Sequence, residues 1–387
     1  MKYSYAIIGS GKQGTASAYD LIKFGDAKKI LLIDNNLDAA EKSAELLNTL
    51  TGTNICTPLK IDVSDSEKLK KELTGINSII SGVPYYFNLE LSKIAIEVGA
   101  NFFDFGGNTD VVKSQLDLNE KALDKNISIV PDCGMDPGMN ISFIQYLVET
   151  YDELKSVKSY GAGLMQYPKD PWKYELSFHI NGLTNEYYGN ALFLRDGKVA
   201  EVPCFSGYEI LDFPEPLGKL EAAVTSGGLS TLPYELADKV ETLENKTLRY
   251  LGHWEKFKAF SELGLFEETP INISGKEIVP RDVYHSLLAP KIATGDKRDL
   301  GIIKIFAEGI KNGNPSKTTI ELIDYFDDKT GFTAMQRLTG WHASIMAILS
   351  ANNQIKKGAV SVNNAISGKK IIDEIKKRGI KINIEEN

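Results

Sequence analysis

A glycine-rich turn near the start of the chain has the spacing that binds a dinucleotide. Gly9, Gly11 and Gly14 follow a short apolar run and precede residues with helical apolar spacing. The first glycine of such a turn permits a tight bend, the second lets the backbone approach a pyrophosphate, and the third allows close helix-to-strand packing. Ser10 and Gln13 lie in the same turn, where backbone amides and the positive end of the helix hold the phosphates. The glycine spacing alone is a weak signal, so the flanking residues must decide.

An acidic residue closes the second predicted strand. Asp34 lies 20 residues beyond Gly14, where a carboxylate hydrogen-bonds both hydroxyls of the adenosine ribose. The same carboxylate repels a 2′-phosphate, and it is followed by Asn35 and Asn36 in place of an arginine. The sequence therefore predicts NAD rather than NADP as the cofactor.

Further cofactor contacts are expected where parallel strands end, since ligands of open α/β sheets bind beyond those ends. The residues predicted to make them are Asp62, Val63, Gly82, Val83, Pro84, Gly106 and Gly107. Asp62 is predicted to face the adenine, with an ordinary helix cap as the alternative. The segment Gly82–Pro84, after the fourth strand, is predicted to pass close to the nicotinamide.

The elements that must position these residues alternate short β-branched runs with segments of helical apolar spacing. The predicted strands are Tyr3–Ile8, Lys29–Ile33, Thr57–Ile61, Ser78–Ile80, Asn101–Phe103 and Ile127–Val130. The predicted helices are Gly14–Lys23, Leu37–Leu47, Ser64–Leu73, Asn88–Val98 and Val112–Ala122. This alternation means right-handed crossovers and a mainly parallel sheet, so a doubly wound α/β (Rossmann) domain is expected.

After Pro137 the sequence pattern changes, and it predicts longer strands and hairpin turns such as Arg195–Lys198. We predict a dinucleotide-binding domain over 1–137, completed by 333–387, and a mixed α+β domain over 138–332 that binds substrate and supports a dimer contact. Thr333–Leu349 is a long apolar helical segment that needs burial on more than one side, so we expect it to pack back on the first domain. The tail, 369–387, is predicted to form a surface helix and a short strand.

Composition excludes several classes of protein. The chain has 387 residues, 42% of them hydrophobic and 25% charged, which is typical of a packed protein of two to three domains. Its net charge of −8 has no basic block to offset it, which argues against a nucleic-acid partner. No apolar run is long enough for a membrane helix or a signal peptide. The three cysteines form no CxxC pair, so neither a metal knuckle nor a disulfide framework is indicated, and a cytoplasmic location is expected.

Several polar blocks beyond the cofactor turn carry a family resemblance. The block Pro131–Met139 is dense in glycine and proline, and its simplest alternative is a hinge that turns the chain. At these blocks the sequence resembles the saccharopine dehydrogenase-like family, and within it the branch that oxidises the ε-amine of lysine. The blocks are Tyr85–Asn88, Asp104–Gly107, Gly134–Gly138, Thr225–Gly228, Thr247–His253, Pro280–Val283 and Thr333–Met335, besides the glycine turn and Asp34. Asp136 departs from that branch and looks more like the saccharopine reductases.

The resemblance implies NAD-dependent oxidative deamination of the ε-amine of L-lysine, which gives 2-aminoadipate 6-semialdehyde, ammonia and NADH. The substrate ammonium must first lose a proton to a general base. His253 is the first candidate for that base, with a helix-capping or space-filling role as the alternative. Asp104 is the second candidate, at a strand end facing the expected nicotinamide, although it could instead orient Asn108.

Recognition of an amino acid also needs a cation for its carboxylate. Arg249 is the predicted partner, with a surface ion pair to Glu241 or Glu244 as the alternative. The residues predicted to complete the substrate pocket are Tyr85, Tyr86, Asn88, Asp136, Thr225, Ser226 and Gly227. For the two tyrosines, ordinary packing under a loop is an equal alternative.

Two other functions compete with lysine oxidation. A sister reductase acting on a secondary amine, such as saccharopine or carboxynorspermidine, would want more arginines in the pocket, and Arg281 is the one further basic residue placed to serve. A non-catalytic NAD-binding sensor would need only the nucleotide site, so the additional polar blocks argue against it. A homodimer is expected from the resemblance and from the apolar strands of the second domain.

Overall fold

Short apolar strands near the N-terminus form one parallel sheet in the computed structural model, which describes residues 2–177 and 179–387. Its strands, labelled in chain order, are β1 (Tyr3–Ile8), β2 (Ala27–Asp34), β3 (Cys56–Lys60), β4 (Ser78–Ser81), β5 (Asn101–Asp104), β6 (Ser128–Val130) and β17 (Gly358–Ala359). They lie in the order β17-β6-β5-β4-β1-β2-β3, and each recorded pair is parallel. The predicted doubly wound sheet is confirmed.

Helices connect the strands of this first sheet. They are α1 (Lys12–Phe24), α2 (Leu37–Thr51), α3 (Ser66–Leu73), α4 (Asn88–Val98), α5 (Thr109–Leu116) and α6 (Asn119–Asp124), with a 3₁₀ turn at Tyr85–Phe87. The single helix predicted over Val112–Ala122 is wrong, because two helices share this stretch. The chain turns at Asp117 and Leu118, where the Asp117 amide donates to Lys113 O and closes α5.

The middle of the chain forms a nine-stranded mixed sheet. Its strands are β7 (Glu153–Met165), β8 (Asn190–Arg195), β9 (Lys198–Pro203), β10 (Glu209–Asp212), β11 (Lys219–Val224), β12 (Thr242–Tyr250), β15 (Asp299–Lys311), β16 (Asn314–Tyr325) and β18 (Asn383–Glu386). The order is β10-β11-β12-β7-β15-β16-β18, with β8 and β9 attached through β12. Within this second sheet, β12 with β7 is the one parallel pair recorded for the described residues, and the other recorded pairs are antiparallel. The hairpin predicted at Arg195–Lys198 joins β8 to β9.

Four helices and a small hairpin lie between the strands of this second sheet in the described part of the chain. They are α8 (Ile180–Glu186), α9 (Leu232–Leu236), α10 (His253–Glu262), α11 (Pro280–Ile292) and the hairpin of β13 (Ile271–Ile273) with β14 (Lys276–Ile278). The mixed α+β character predicted for this part of the chain is therefore confirmed.

The long helix α12 (Ala334–Ala351) returns to the first sheet, as predicted. Ser17 Oγ on α1 donates to Gly340 O at 2.8 Å. A Cβ at Gly340 would lie only 2.8 Å from Gln13 O, so glycine allows α12 to touch α1 directly. Asp299 fixes the start of α12 by accepting the amides of its first two residues at 2.6 and 2.9 Å. In the described ranges, no helix has the length and apolar character needed to cross a membrane.

The chain passes between the two sheets three times. It crosses after β6 through α7 (Met139–Thr150) to β7, from β16 to α12, and from α14 (Gly368–Lys377) to β18; α13 (Val362–Ala365) precedes α14. The last crossing corrects the predicted domain boundary, because β18 pairs antiparallel with β16 and belongs to the second sheet. A prediction from local pattern could not find this, since strand pairing is a contact between distant segments.

A buried ion pair fastens the end of α14 to α1. Arg378 donates from Nε to Asp20 Oδ1 at 2.7 Å and from Nη2 to Oδ2 at 2.9 Å. Ser344 Oγ on α12 donates to the same Oδ2 at 2.6 Å. The side chains are 1% and 0% exposed. Burial raises the pKa of Asp20 and Arg378 opposes that rise, so the carboxylate depends on its partner.

Candidate active site

The glycine turn between β1 and α1 brings three backbone segments into contact. Gly9 has a φ of +97°, and a Cβ there would lie 2.8 Å from the carbonyl of Gly82. A Cβ at Gly14 would lie 2.1 Å from Gly9 O, so α1 can sit this close only with glycine. A Cβ at Gly11 would meet no atom within 4 Å, so Gly11 faces the open mouth of the turn. These separations fit the roles that a dinucleotide turn requires of its glycines.

The carboxylate of Asp34 lies against this turn. Its Oδ2 accepts the Ser10 amide at 2.9 Å and its Oδ1 accepts the Asn36 amide at 2.9 Å, while Asn35 is exposed beside it. Each carboxylate oxygen keeps a further lone pair. The group is therefore fixed where it can accept from the hydroxyls of a ribose, and its charge opposes a phosphate at the same place.

Asp62 is engaged in a local turn. It accepts the Ser64 amide at 2.9 Å and the Ser64 hydroxyl at 2.7 Å, and these bonds lower the pKa of Asp62. The alternative of a helix cap is wrong, because Asp65 caps α3. Val63 is half-buried against the apolar core beneath α3. Gln13 is half-buried in the first turn of α1.

The ends of β4 and β5 lie side by side beyond the glycine turn. In the segment Gly82–Pro84, a Cβ at Gly82 would lie 3.1 Å from the ring of Phe105. Gly107 has a φ of +122°, and a Cβ there would lie 3.1 Å from Tyr85 Cβ. Glycine at both positions lets the two strand ends approach each other, at the sheet edge where the nicotinamide is predicted to lie.

Asp104, the second candidate for the general base, is completely buried and fully engaged. Its Oδ1 accepts the amides of Gly106 at 2.7 Å and Asp132 at 3.2 Å, and its Oδ2 accepts Gln115 Nε2 at 2.7 Å. Burial raises the pKa of Asp104, against the three hydrogen bonds that lower it. The alternative in which Asp104 orients Asn108 is wrong, because Asn108 caps α5. Asp104 therefore braces the loops after β5 and β6 in place of the predicted contact with substrate.

The segment after β6 brings Asp136 to the boundary between the two sheets. Asn140 Nδ2 donates to its Oδ1 at 2.6 Å, and Asn245 Nδ2 donates to its Oδ2 at 3.3 Å. A Cβ at Gly161 would lie 2.0 Å from Oδ2, so glycine makes room for the carboxylate. Burial raises the pKa of Asp136 to about 7; the charge of Glu186 adds to the rise and the Asn245 bond opposes it. This carboxyl group is suited to exchanging a proton near neutrality.

The turn Thr225–Gly228 links this boundary to the end of α8. The hydroxyl groups of Thr225 and Thr247 are 2.7 Å apart. The Ser226 amide donates to Glu186 O at 2.8 Å, and the Ser226 hydroxyl donates to Asn185 O at 2.7 Å. Gly227 has a φ of +92°, and a Cβ there would meet nothing within 4 Å. The predicted substrate turn thus lies between Asp136 and α8, with its tip open.

Arg249, at the end of β12, lies among aromatic rings. Its guanidinium carbon is 5.1 Å from the ring centroid of Tyr174 and 5.7 Å from those of Tyr187 and Trp254. Its Nε donates to Tyr187 Oη at 3.0 Å. These contacts fix the plane of the guanidinium, which a bidentate carboxylate contact requires.

Arg249 also keeps donors for a ligand. Its Nη1 donates to Leu248 O at 3.0 Å, and its Nη2 lies 3.7 Å from Glu186 Oε2. A guanidinium has five N–H donors, so several stay available. The predicted alternative of a surface ion pair is wrong, because Arg249 is buried and Glu244 pairs with Arg195 at 2.6 Å.

His253, the first candidate for the general base, belongs to the same aromatic cluster. Its Nε2 is 3.0 Å from Tyr187 Oη, which already accepts from Arg249, so the tyrosine proton points to the imidazole. The ring stacks on Phe257 with centroids 4.1 Å apart. Burial, with the charge of Arg249, lowers the pKa of His253 well below its usual value. The geometry gives His253 a positioning role toward Tyr187 and Arg249 in place of the predicted base.

The three loop residues predicted to contact the distal amine of the substrate, Tyr85, Tyr86 and Asn88, lie in different environments. Asn88 is buried inside the first domain, where its Oδ1 accepts Ser81 Oγ at 2.8 Å. Tyr86 is 61% exposed and packs on Phe87 with centroids 4.6 Å apart. Of the three predicted contacts, Tyr85 is the one beside Gly107, at the ends of β4 and β5.

Arg281 approaches α8 from another side. Its Nε donates to Phe266 O at 2.7 Å, and its Nη1 contacts Asn185 Oδ1 at 3.2 Å and pairs with Glu268. Its Nη2 is buried and has no hydrogen-bond partner among residues 2–177 and 179–387. Arg281 therefore supplies a second cation near the end of α8 with an unused donor.

Sequence reasoning missed four residues that hold the site together. They are Asn140, Glu186, Tyr187 and Asn245. A signal existed for the last of these, because polar residues occupy alternate positions 245, 247 and 249 of one strand and so share a face. The two residues at the end of α8 give no such signal, since they meet Arg249 from a segment 62 positions away.

Family models match nearly the whole chain. A model described as saccharopine dehydrogenase NADP binding domain matches residues 5–130, and one described as saccharopine dehydrogenase C-terminal domain matches residues 132–380. The boundary between them falls at the end of β6, where the chain leaves the first sheet.

Curated relatives and a solved structure agree with these models. The chain is 26% identical over 265 residues to an NADP⁺-dependent, L-glutamate-forming saccharopine dehydrogenase of Pyricularia oryzae, covering 65% of this chain and 56% of the relative. It is 27% identical over 270 residues to the Saccharomyces cerevisiae protein of the same name, covering 62% and 55%. The chain thus spans about half of each relative's length. The apo structure of L-Glu-forming saccharopine dehydrogenase from S. cerevisiae has the same fold, with a TM-score of 0.78, 20% identity and full coverage of both chains.

Proposed function

The chain belongs to the saccharopine dehydrogenase family, and we propose that it is an NAD-dependent dehydrogenase acting on the ε-amine of L-lysine. The observation that carries this proposal is the row of polar side chains on β12. Asn245, beside Asp136, and Arg249 point to the same face four residues apart, about 13 Å along the strand at ~3.3 Å per residue. One proton acceptor and one carboxylate clamp at this separation suit an amino acid whose amine lies at the far end of its side chain.

The substrate ammonium must lose a proton before the oxidation can take place. For an unperturbed lysine ammonium, deprotonation at pH 7 costs about 4.6 kcal/mol. Asp136 accepts this proton, because its carboxyl group stands at the boundary of the sheets with a pKa of about 7. NAD held by the glycine turn and Asp34 would supply the acceptor for the hydride of the ε-carbon. Water then adds to the resulting iminium carbon, and ammonia leaves to give 2-aminoadipate 6-semialdehyde.

The cofactor preference depends on Asp34. We expect Asp34→Ser to raise kcat/KM with NADP about 10- to 100-fold relative to NAD, since the change removes a charge that opposes the 2′-phosphate and hydrogen bonds that favour the ribose diol. Initial rates with both cofactors measure this ratio. Asp38→Ser, an exposed acidic residue in the first turn of α2, is the matched control. An unchanged cofactor ratio in Asp34→Ser would show that Asp34 does not face the ribose.

A second candidate function is oxidation of a secondary amine such as saccharopine. The relatives' names favour it, and so does the unpartnered Nη2 of Arg281, which could take a further carboxylate. Against it, the other nitrogens of Arg281 are held by Phe266, Asn185 and Glu268. Lysine needs one carboxylate clamp, and Arg249 supplies it.

A substrate panel tests the proposed function. Purified protein with NAD and L-lysine is expected to produce NADH, read at 340 nm, with ammonia in equal amount. L-ornithine, L-saccharopine and carboxynorspermidine serve as competitors, and each is also tried with NADP. Faster oxidation of saccharopine than of lysine would favour the second candidate. Binding of NAD without oxidation of any of these amines would leave the sensor alternative. The homodimer and the cytoplasmic location stay predictions.

A further inference from the structure

The carboxylate of Glu186 stands beside the substrate clamp. It belongs to the last residue of α8, and its Oε2 lies 3.7 Å from Arg249 Nη2. The Glu186 side chain is 35% exposed, whereas that of Arg249 is 4% exposed. The acid is therefore the more accessible partner, although burial still raises the pKa of Glu186 to about 7 against the charge of Arg249, which lowers it.

The Glu186 side chain has few partners of its own. Across residues 2–177 and 179–387, no hydrogen bond to its carboxylate is recorded, and Arg249 is its one ion-pair partner. Its main-chain carbonyl is occupied by the Ser226 amide, which fixes the end of α8 against the Thr225–Gly228 turn. A 3.7 Å separation is longer than a hydrogen bond, so the carboxylate keeps its accepting capacity.

An α-amino acid presents two opposite charges on one carbon. A clamp that donates to the α-carboxylate needs an adjacent acceptor for the α-ammonium, because burying an unpaired charge is costly. Arg249 supplies the donors, and Glu186 supplies a carboxylate next to them on the solvent side. The charge of Glu186 also reaches Asp136, whose pKa it helps to raise.

We propose that Glu186 binds the α-ammonium group of a substrate whose α-carboxylate lies on Arg249, so the site selects α-amino acids over simple diamines and over amino acids without an α-amine. This inference rests on the proposed function and deepens it, since it assigns the end of the pocket that holds the non-reacting part of the substrate. Glu186 is thus a specificity residue, and Asp136 handles the reacting amine at the other end.

The test combines one substitution with substrates that lack one group at a time. Glu186→Gln keeps the size of the side chain and removes its charge. Its KM for L-lysine is expected to rise about 10- to 100-fold, the loss expected for a hydrogen bond to a charged group. Its KM for 6-aminohexanoate, which lacks the α-amine, is expected to stay within about twofold of the wild-type value. Glu262→Gln, an exposed acid on α10, is the matched control.

Each outcome separates this inference from the proposed function. If KM rises equally for both substrates, Glu186 acts only by orienting Arg249. If KM for L-lysine is unchanged, Glu186 does not contact the substrate. Equilibrium binding of L-lysine, saccharopine and 6-aminohexanoate to the NADH complex is measured in parallel. A wild-type protein that binds L-lysine without oxidising it contradicts the proposed function and still tests Glu186. A wild-type protein that binds neither α-amino acid overturns both.

Discussion

Replacing Asp136 by asparagine is expected to lower kcat for amine oxidation by about 100- to 10,000-fold, the range found when a general base is removed. An amide of the same size cannot accept the proton that the substrate ammonium must lose. The affinity for NADH is expected to stay at the wild-type level, because Asp136 lies at the boundary of the two sheets and the glycine turn lies between β1 and α1. Steady-state rates with L-lysine and a fluorescence titration with NADH measure the two effects separately.

The pH profile gives this prediction a second readout. Burial raises the pKa of Asp136 to about 7, so the wild-type rate should rise with pH through that region as the carboxyl group loses its proton. In Asp136→Asn this rise should disappear, whereas Asp212→Asn, an exposed acid on β10, should keep it. His253→Ala should keep it too, with a higher KM because Arg249 loses support through Tyr187. The reverse pattern, with the rise lost in His253→Ala and kept in Asp136→Asn, would return the base to His253.

Replacing Arg378 by methionine is expected to lower the free energy of unfolding by about 3–5 kcal/mol, the cost of leaving one partner of a buried ion pair without the other. Methionine fills much of the same space, so the loss reports the charge of Asp20, which is 0% exposed. Urea denaturation followed by circular dichroism measures it. Lys369→Met, which breaks an exposed pair with Asp373 on the same helix, is the control and should change stability by less than about 1 kcal/mol.

The direction in which the stability of Arg378→Met changes with pH tests whether the buried charge of Asp20 causes the loss. Without Arg378, burial raises the pKa of Asp20 further and the folded protein holds the carboxyl group in its neutral form. Unfolding then releases a proton, so Arg378→Met should lose stability as the pH rises above the unfolded value of about 3.9. A variant as stable as the wild type, or one whose deficit does not grow between pH 5 and pH 8, would show that the pair contributes little.

Local features were predictable from the sequence, because they depend on neighbouring residues. The glycine turn follows from the conformations that Gly9 and Gly14 must adopt, and strands β1 to β6 follow from short apolar runs. The long apolar helix α12 was also predictable, since a helix of that composition must be buried. The break between α5 and α6 was not, because no proline or glycine marks it.

Features that depend on distant contacts were less predictable. The residue type of His253 suggests a base, but only the fold brings Tyr187 onto its Nε2 and sets the direction of that hydrogen bond. The sequence pattern locates Asp104 at a strand end, yet its role depends on Gln115 and on the amide of Asp132. The pairing of β18 with β16 depends on segments more than 60 positions apart. A motif therefore identifies where chemistry can occur, and packing determines which side chains are free to perform it.

The three passages of the chain between the sheets have a mechanical consequence. Two bodies joined by one linker can swing freely, and two linkers define an axis for bending. The links from β6 to β7, from β16 to α12 and from α14 to β18 make three connections, and the direct contact of α12 with α1 fixes one end of the second link to the first sheet. Any change in the angle between the two sheets must therefore bend all three linking segments together. Tyr86, whose ring is exposed, and Gly227, at the open tip of its turn, can rearrange locally without bending any of them.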